Sequence, residues 1–167
     1  TGNLGDSYLG LKALSNKVKF KNKDKLFFVD KYYKPELPLN LTKYLLKFAN
    51  SSIDVSDGLI DDLAKMINRQ SLSFHLFENK IPVSNKLSNF IKKQRLNKIN
   101  LISNGDDYQV LFTADIKKAR IIQKASKTTG IKITKIGKIV SGKDRSLIFD
   151  EKGKQIQAKS KGYIHQF

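Results

Sequence analysis

Apolar residues recur at two spacings along this chain, and the switching between them predicts interleaved helices and strands. Leu59, Ile60, Leu63 and Ile67 fall at steps of one, three and four, the signature of one apolar face of a helix. Leu41, Leu45, Leu46 and Ala49 follow the same rule after a turn marked by Pro35 and Pro38. Leu9, Leu11 and Leu14, behind Asp6–Ser7, predict a short first helix with a side-chain cap. Ser84–Lys93 reads as a helix carrying Leu87, Phe90 and Ile91, and Ile116–Thr128 as another, ended by Gly130. Ser51–Val55, Leu72–Phe77 and Tyr108–Thr113 are short β-prone runs. Ile131–Val140 alternates apolar and polar residues as a long strand would. Ser146–Phe149 and Lys154–Ile156 flank Gly153 as a hairpin.

These elements predict one α/β layered domain over residues 1–167, a sandwich with a mixed β-sheet. It is not a clean βαβ series, and no G-x-G-x-x-G stands between a strand and a helix to support a dinucleotide fold. A chain of 167 residues with 40% hydrophobic positions can build its own core. No apolar run approaches the roughly 18 residues of a membrane span. The absence of cysteine excludes disulfides and thiolate metal sites and suits a reducing compartment. The net charge of +17 invites a nucleic-acid reading. Against it, 28 of the 32 basic residues are lysine and they are spread along the whole chain, whereas base and phosphate readers lean on the planar guanidinium. A solvated lysine surface accounts for the charge.

One segment contradicts that basic character. Between Asp54 and Leu63 stand Asp54, Asp57, Asp61 and Asp62, four of the 15 acids of the chain, with no Lys or Arg among them. Asp54 ends a predicted strand and Asp57 opens a predicted helix, so a strand-to-helix turn can bring both carboxylates to one point. Such pairs hold Mg²⁺, which takes its other ligands from water and substrate phosphates. Ser56 can donate its hydroxyl to a phosphate oxygen, and Gly58 lets a ligand approach the backbone. The plainer account makes Asp57 a helix cap, and Asp61 and Asp62 first-turn acids favoured by the helix dipole. It leaves Asp54, an acid at an apolar strand end, unexplained.

A second acidic group, Asn104-Gly105-Asp106-Asp107-Tyr108, precedes the third strand and reads either as a presented pair of carboxylates or as a surface turn. The opening Thr1-Gly2-Asn3-Leu4-Gly5-Asp6-Ser7 has the glycines of a phosphate loop without the lysine of a Walker motif. His75 and His165 are too isolated for metal or triad spacing.

Taken in order, these pieces resemble the C-terminal half of the thiamine-monophosphate kinase family. That family is related to aminoimidazole ribonucleotide synthetase, selenophosphate synthetase and a hydrogenase maturation factor. The family's T-G-x-x-G-D-S-x-x-G is matched by Thr1, Gly2, Gly5, Asp6, Ser7 and Gly10. Its D-[IV]-S-D-G-L with a later D-L is matched by Asp54 through Leu59 and by Asp62–Leu63. Its G-G-E-D-Y-E-L-L-F-T appears as Asn104 through Thr113, and its G-[YW]-x-H-F as Gly162-Tyr163-Ile164-His165-Gln166-Phe167.

The resemblance implies transfer of the γ-phosphoryl group of ATP to thiamine monophosphate, giving thiamine diphosphate. The nucleophile is already an anionic phosphate oxygen, so no general base is needed, and positioning with Mg²⁺ supplies the catalysis. It also implies that Asp54 and Asp57 are Mg²⁺ ligands, that Ser56 contacts ATP, and that Asp106 contacts the thiamine moiety. Tyr163 would wall or stack on the substrate. Asp106 stands where the family has Glu, Asn104 replaces Gly, Gln109 replaces Glu, and Gln166 is additional. The chain opens at Thr1 inside a motif, without methionine, as expected of a C-terminal domain whose ATP-binding N-terminal domain precedes it. That domain would bring further Mg²⁺ ligands, most ATP contacts and a homodimer interface, in a cytoplasmic enzyme. The isolated chain is then expected to be inactive. Two other readings are another ATP-dependent synthetase of the same superfamily and a basic stand-alone module for nucleic acid or another polyanion. The Asp54 and Asp57 motif speaks against the last, because a phosphate-backbone reader has no use for it.

Overall fold

The strand at Ala49–Val55 (β1) pairs antiparallel with Gln109–Ala114 (β3), although more than fifty residues separate them in sequence. The structure is a computed structural model that describes residues 1–158 apart from Arg69 and Asp144, with the backbone alone described at Asn22. A second sheet has the order β4-β2-β5-β6, from Gly137–Ser141, Leu72–Phe77, Leu147–Phe149 and Gln155–Ile156. Its β2–β5 pairing is parallel and the other two are antiparallel, so the sheet is mixed as expected.

Helix α4 (Leu59–Met66) follows β1, and its apolar face meets the second sheet. Leu59, Ile60, Leu63 and Ile67 are all buried there with Val55, Phe74, Leu76 and Ile148, which forms the main core. The periodicity of that helix was therefore a direct readout of burial. A second core joins α1 (Asp6–Leu14), α2 (Asn22–Tyr33) and α5 (Asn85–Gln94) through Leu9, Phe28 and Leu87. Phe20 lies 5.0 Å from Phe28 and 4.7 Å from Phe90, ring centre to ring centre. A Cβ on Gly10 would sit 2.2 Å from the Phe28 carbonyl oxygen, so this glycine lets α1 and α2 touch backbone to backbone. A third core packs α3 (Thr42–Phe48) against α7 (Ala119–Thr129) through Leu41, Phe48 and Ala125.

Several expectations need correction. The cap of α1 is Gly5 at φ 89, with no side-chain cap bond from its own segment. Helix α4 is capped by Gly58 and begins at Leu59, so Asp57 stands outside it. Only the end of the long alternating run is a strand, within Gly137–Ser141. Ile136 still accepts from the Phe77 amide at the end of β2, but further back the chain leaves the sheet: Ile131 and Ile133 pack on the α3–α7 core, and the Lys132 carbonyl accepts from the Gly2 amide. Leu46 is 93% exposed and takes no part in the face of α3. Helices α2 and α6 (Lys98–Ile102) lie where no clear period shows. No helix among the described residues is long and apolar enough to cross a membrane.

Candidate functional site

Pairing of β1 with β3 sets Asp54 opposite Val110 and Val55 opposite Gln109, which carries the two acidic motifs to the same end of the pair. The contact continues past the strands. The Tyr108 amide donates to the Val55 carbonyl at 2.9 Å, and the Asp106 amide to the Ser56 carbonyl at 2.9 Å. Two glycines permit this approach. A Cβ on Gly105 would lie 1.8 Å from the Ser56 carbonyl oxygen, and one on Gly58 would lie 2.2 Å from that of Ser103. Asp106 and Tyr108 both hold left-handed backbone angles, φ 68 and φ 49, at a cost of about 1–2 kcal/mol each. A non-glycine residue keeps such a conformation where surrounding hydrogen bonds over-determine it, and such strain gathers at functional sites.

Asp62, not Asp57, closes the start of α4. Its Oδ2 accepts from the amides of Asp57 and Gly58 at 2.9 and 3.0 Å, reaching back from inside the first turn. Burial raises the Asp62 pKa, and those two amide bonds pull against the rise. The carboxylate of Asp57 is ion-paired with Lys65 Nζ, which also lies 2.6 Å from Asp61 and 3.5 Å from Asp62. These bonds raise the Lys65 pKa, those from Asp57 and Asp61 foremost. Carboxylate oxygens of Asp57, Asp61 and Asp62 lie within 4.8 Å of one another. Asp106 has a raised pKa, first from burial and then from the negative charge of Asp57, so the two acidic motifs feel each other electrostatically.

The opening glycine motif joins the same end of the molecule. The carboxylate of Asp107, buried, accepts from the Gly5 amide at 2.7 Å and so serves α1 as a cap supplied from about a hundred residues away. Burial pushes the Asp107 carboxyl up to about 8, with the neighbouring Asp6 adding to the rise. Asp6 is itself raised to about 6 by burial, although Ser84 Oγ donates to it at 2.7 Å. The same Ser84 oxygen accepts from the Leu87 amide and caps α5. Thr1 continues the network, its hydroxyl donating to Gln109 Oε1 at 2.9 Å and accepting from the Val110 amide at 2.8 Å.

Of the residues singled out in the sequence, Asp57, Ser56 and Asp106 therefore meet at one turn. Asp54 stands on the exposed face of β1, three residues before Asp57 and outside the group of three carboxylates. Tyr163 and the rest of the C-terminal motif lie outside the described residues. Sequence reasoning passed over Lys65, although its spacing of three and four from Asp62 and Asp61 is the ordinary signal of a helix ion pair. It also passed over Asp107 as a buried cap, for which one sequence holds no signal. The donor set is all carboxylate oxygen, which suits a hard cation such as Mg²⁺ over softer metals.

No family model matches the chain. It is 35% identical to thiamine-monophosphate kinase of Buchnera aphidicola subsp. Schizaphis graminum, across 99% of its own residues and 51% of the relative. It superposes on the structure of AaThiL complexed with AMPPCP and TMP with a TM-score of 0.75 at 28% identity, covering 99% of this chain and 50% of that one. The hydrogenase maturation protein HypE of E. coli shares the fold alone, with a TM-score of 0.69 at 13% identity, covering 98% of this chain and 49% of that one. The chain thus has the domain fold of aminoimidazole ribonucleotide synthetase-related proteins. Its sequence relatives are the thiamine-monophosphate kinases, and it is homologous to their C-terminal half. The chain spans about half the length of the curated relatives it matches.

Proposed function

We propose that this chain supplies the thiamine-binding half, and part of the Mg²⁺ shell, of an ATP-dependent kinase that converts thiamine monophosphate to thiamine diphosphate. The observation that carries the reading is the convergence of the two acidic motifs on one turn, with Asp57 and Asp106 in mutual electrostatic reach and the opening motif tied to the same end through the Gly5–Asp107 bond. Asp54 and Asp57 hold Mg²⁺ in this reading, with Asp61 and Asp62 beside them. The ion would neutralise charge on the phosphoryl group being transferred. Ser56 donates to an ATP phosphate. Asp106 faces the cationic thiazolium of thiamine monophosphate, and Tyr163 supplies an aromatic surface for it. Most ATP contacts come from an N-terminal domain, which also carries the homodimer interface, and the enzyme works in the cytoplasm.

Steady-state kinetics of the kinase carrying this domain test the roles separately. Asp57→Asn is expected to lower kcat by orders of magnitude, because the amide keeps its size but withdraws charge from the metal. Asn keeps the backbone amide that donates to Asp62, so a purely structural role for Asp57 would leave kcat nearly intact. Asp106→Ala is expected to raise KM for thiamine monophosphate and leave KM for ATP nearly unchanged. Equal effects of Asp106→Ala on both substrates would remove the thiamine-binding role, and normal kinetics for Asp57→Asn would remove the metal role.

A further inference from the structure

Lys65 occupies the point that the acidic turn converges on. Its ammonium is paired with Asp57, stands 2.6 Å from Asp61 and reaches Asp62 at 3.5 Å. An ammonium carries three hydrogens in a cone, and three carboxylates surround it. The two oxygens of Asp62 divide the work: Oδ2 is held by the Asp57 and Gly58 amides, and Oδ1 is the one that faces Lys65. Asp62 is therefore locked by the backbone, and Lys65 draws the other two carboxylates toward it. A Mg²⁺ ion needs oxygen ligands at about 2.0–2.1 Å, in the space where the ammonium lies, so one cation excludes the other.

We propose that Lys65 is a tethered counterion of the divalent-cation site, holding the carboxylates together until a metal ion displaces it. The inference rests on the metal reading proposed for this turn and adds to it a competitor built into the chain. The displacement is sterically easy. Lys65 lies in the last turn of α4 on a flexible stem, and its side chain is 45% exposed, so its ammonium can swing into water. Without it, the three carboxylates of Asp57, Asp61 and Asp62, within 4.8 Å of one another, would repel each other in the metal-free domain. With it, a metal binds only by outcompeting an ammonium, which favours ions of charge two over monovalent ones. The spacing of Lys65 is that of an ordinary helix ion pair, and the distinguishing mark is its third partner, Asp57, which lies outside the helix.

The test is a titration of this chain with Mn²⁺, free ion followed by electron paramagnetic resonance, together with melting curves with and without the metal. Lys65→Met is expected to bind Mn²⁺ about three- to tenfold more tightly than the parent, the scale of a few exposed ion pairs released. Lys65→Arg keeps the charge and is expected to bind no more tightly than the parent. Lys65→Met is also expected to melt lower than the parent without metal, with the gap closing at saturating Mn²⁺. Unchanged or weaker binding by Lys65→Met overturns the inference. So does equal tightening in Lys65→Met and Lys65→Arg, which would point to bulk in place of charge. Asp57→Asn separates the two levels. If it binds Mn²⁺ like the parent, the ion is not at this turn and the metal reading falls together with the counterion. If it binds more weakly while Lys65→Met is unchanged, only the counterion falls.

Discussion

Replacing Gly105 with Ala tests whether the meeting of the two acidic motifs depends on backbone contact. The added Cβ would lie 1.8 Å from the Ser56 carbonyl oxygen, 2.7 Å from its carbon and 3.0 Å from the Asp57 Cα. All three atoms are backbone, so no side chain can rotate away and the two loops must separate. Overpacking of this kind costs about 1–3 kcal/mol. Separation also stretches the bond from the Asp106 amide to the Ser56 carbonyl, which contributes about 1 kcal/mol. Together they amount to about 3 kcal/mol, which lowers the Tm of a domain this size by roughly 6–12 °C. Gly153→Ala is the control, because that glycine has φ 77 but nothing within 4 Å of an added Cβ. It is expected to cost only the left-handed backbone penalty of about 1 kcal/mol. Thermal and urea denaturation of the two variants and the parent provide the comparison. A Gly105→Ala variant that melts with Gly153→Ala or above it would refute the close crossing, and with it the account of how Asp57 and Asp106 are brought together.

The buried carboxyls make stability depend on pH in a definite direction. Asp107 is raised from 3.8 to about 8, and Asp6 from 3.8 to about 6, so the folded state keeps protons that the unfolded chain releases. Their stabilisation is complete below about pH 4 and is lost as pH rises, through about 6 for Asp6 and about 8 for Asp107. Urea midpoints measured across this window should therefore fall, and Asp107→Asn should flatten the portion above pH 6. Midpoints that climb with pH there would contradict the buried assignment. Ser84→Ala removes both the cap of α5 and the donor to Asp6, so it is expected to cost about 1–2 kcal/mol in denaturant titrations. A loss below about 0.5 kcal/mol would mean that water replaces the hydroxyl at both partners.

Much of the architecture was legible because local pattern and burial coincide. Leu59, Ile60, Leu63 and Ile67 mark α4, and Leu72–Phe77 marks β2 at its observed bounds. Gly130 ends α7 at φ 71, as glycine after a helical period promises. Helix α2 stayed hidden because its apolar residues are contiguous and divide between surface and core: Leu26 is exposed, while Phe28 is buried against α1 and α5. The run before Gly137 alternates like a strand, but Ile131 and Ile133 find their apolar partners in the α3–α7 core, so alternation alone misplaced that part of it.

For the site, the sequence by itself determined which residues can carry the chemistry: an acidic stretch from Asp54 to Asp62 in a basic chain, and a second at Asp106–Asp107. Charge and residue type are local properties, and they survive any folding of the chain around them. Only the tertiary structure decided how those acids divide their labour. The antiparallel register of β1 with β3 put Asp106 beside Asp57, and the glycine crossing sent Asp107 inward to cap α1. The backbone amides at the start of α4 took Asp62, which left Asp57 turned toward Lys65. Each of these outcomes depends on pairing between segments about fifty residues apart or more, or on which of several carboxylates reaches an amide first. Local spacing carries no information about either.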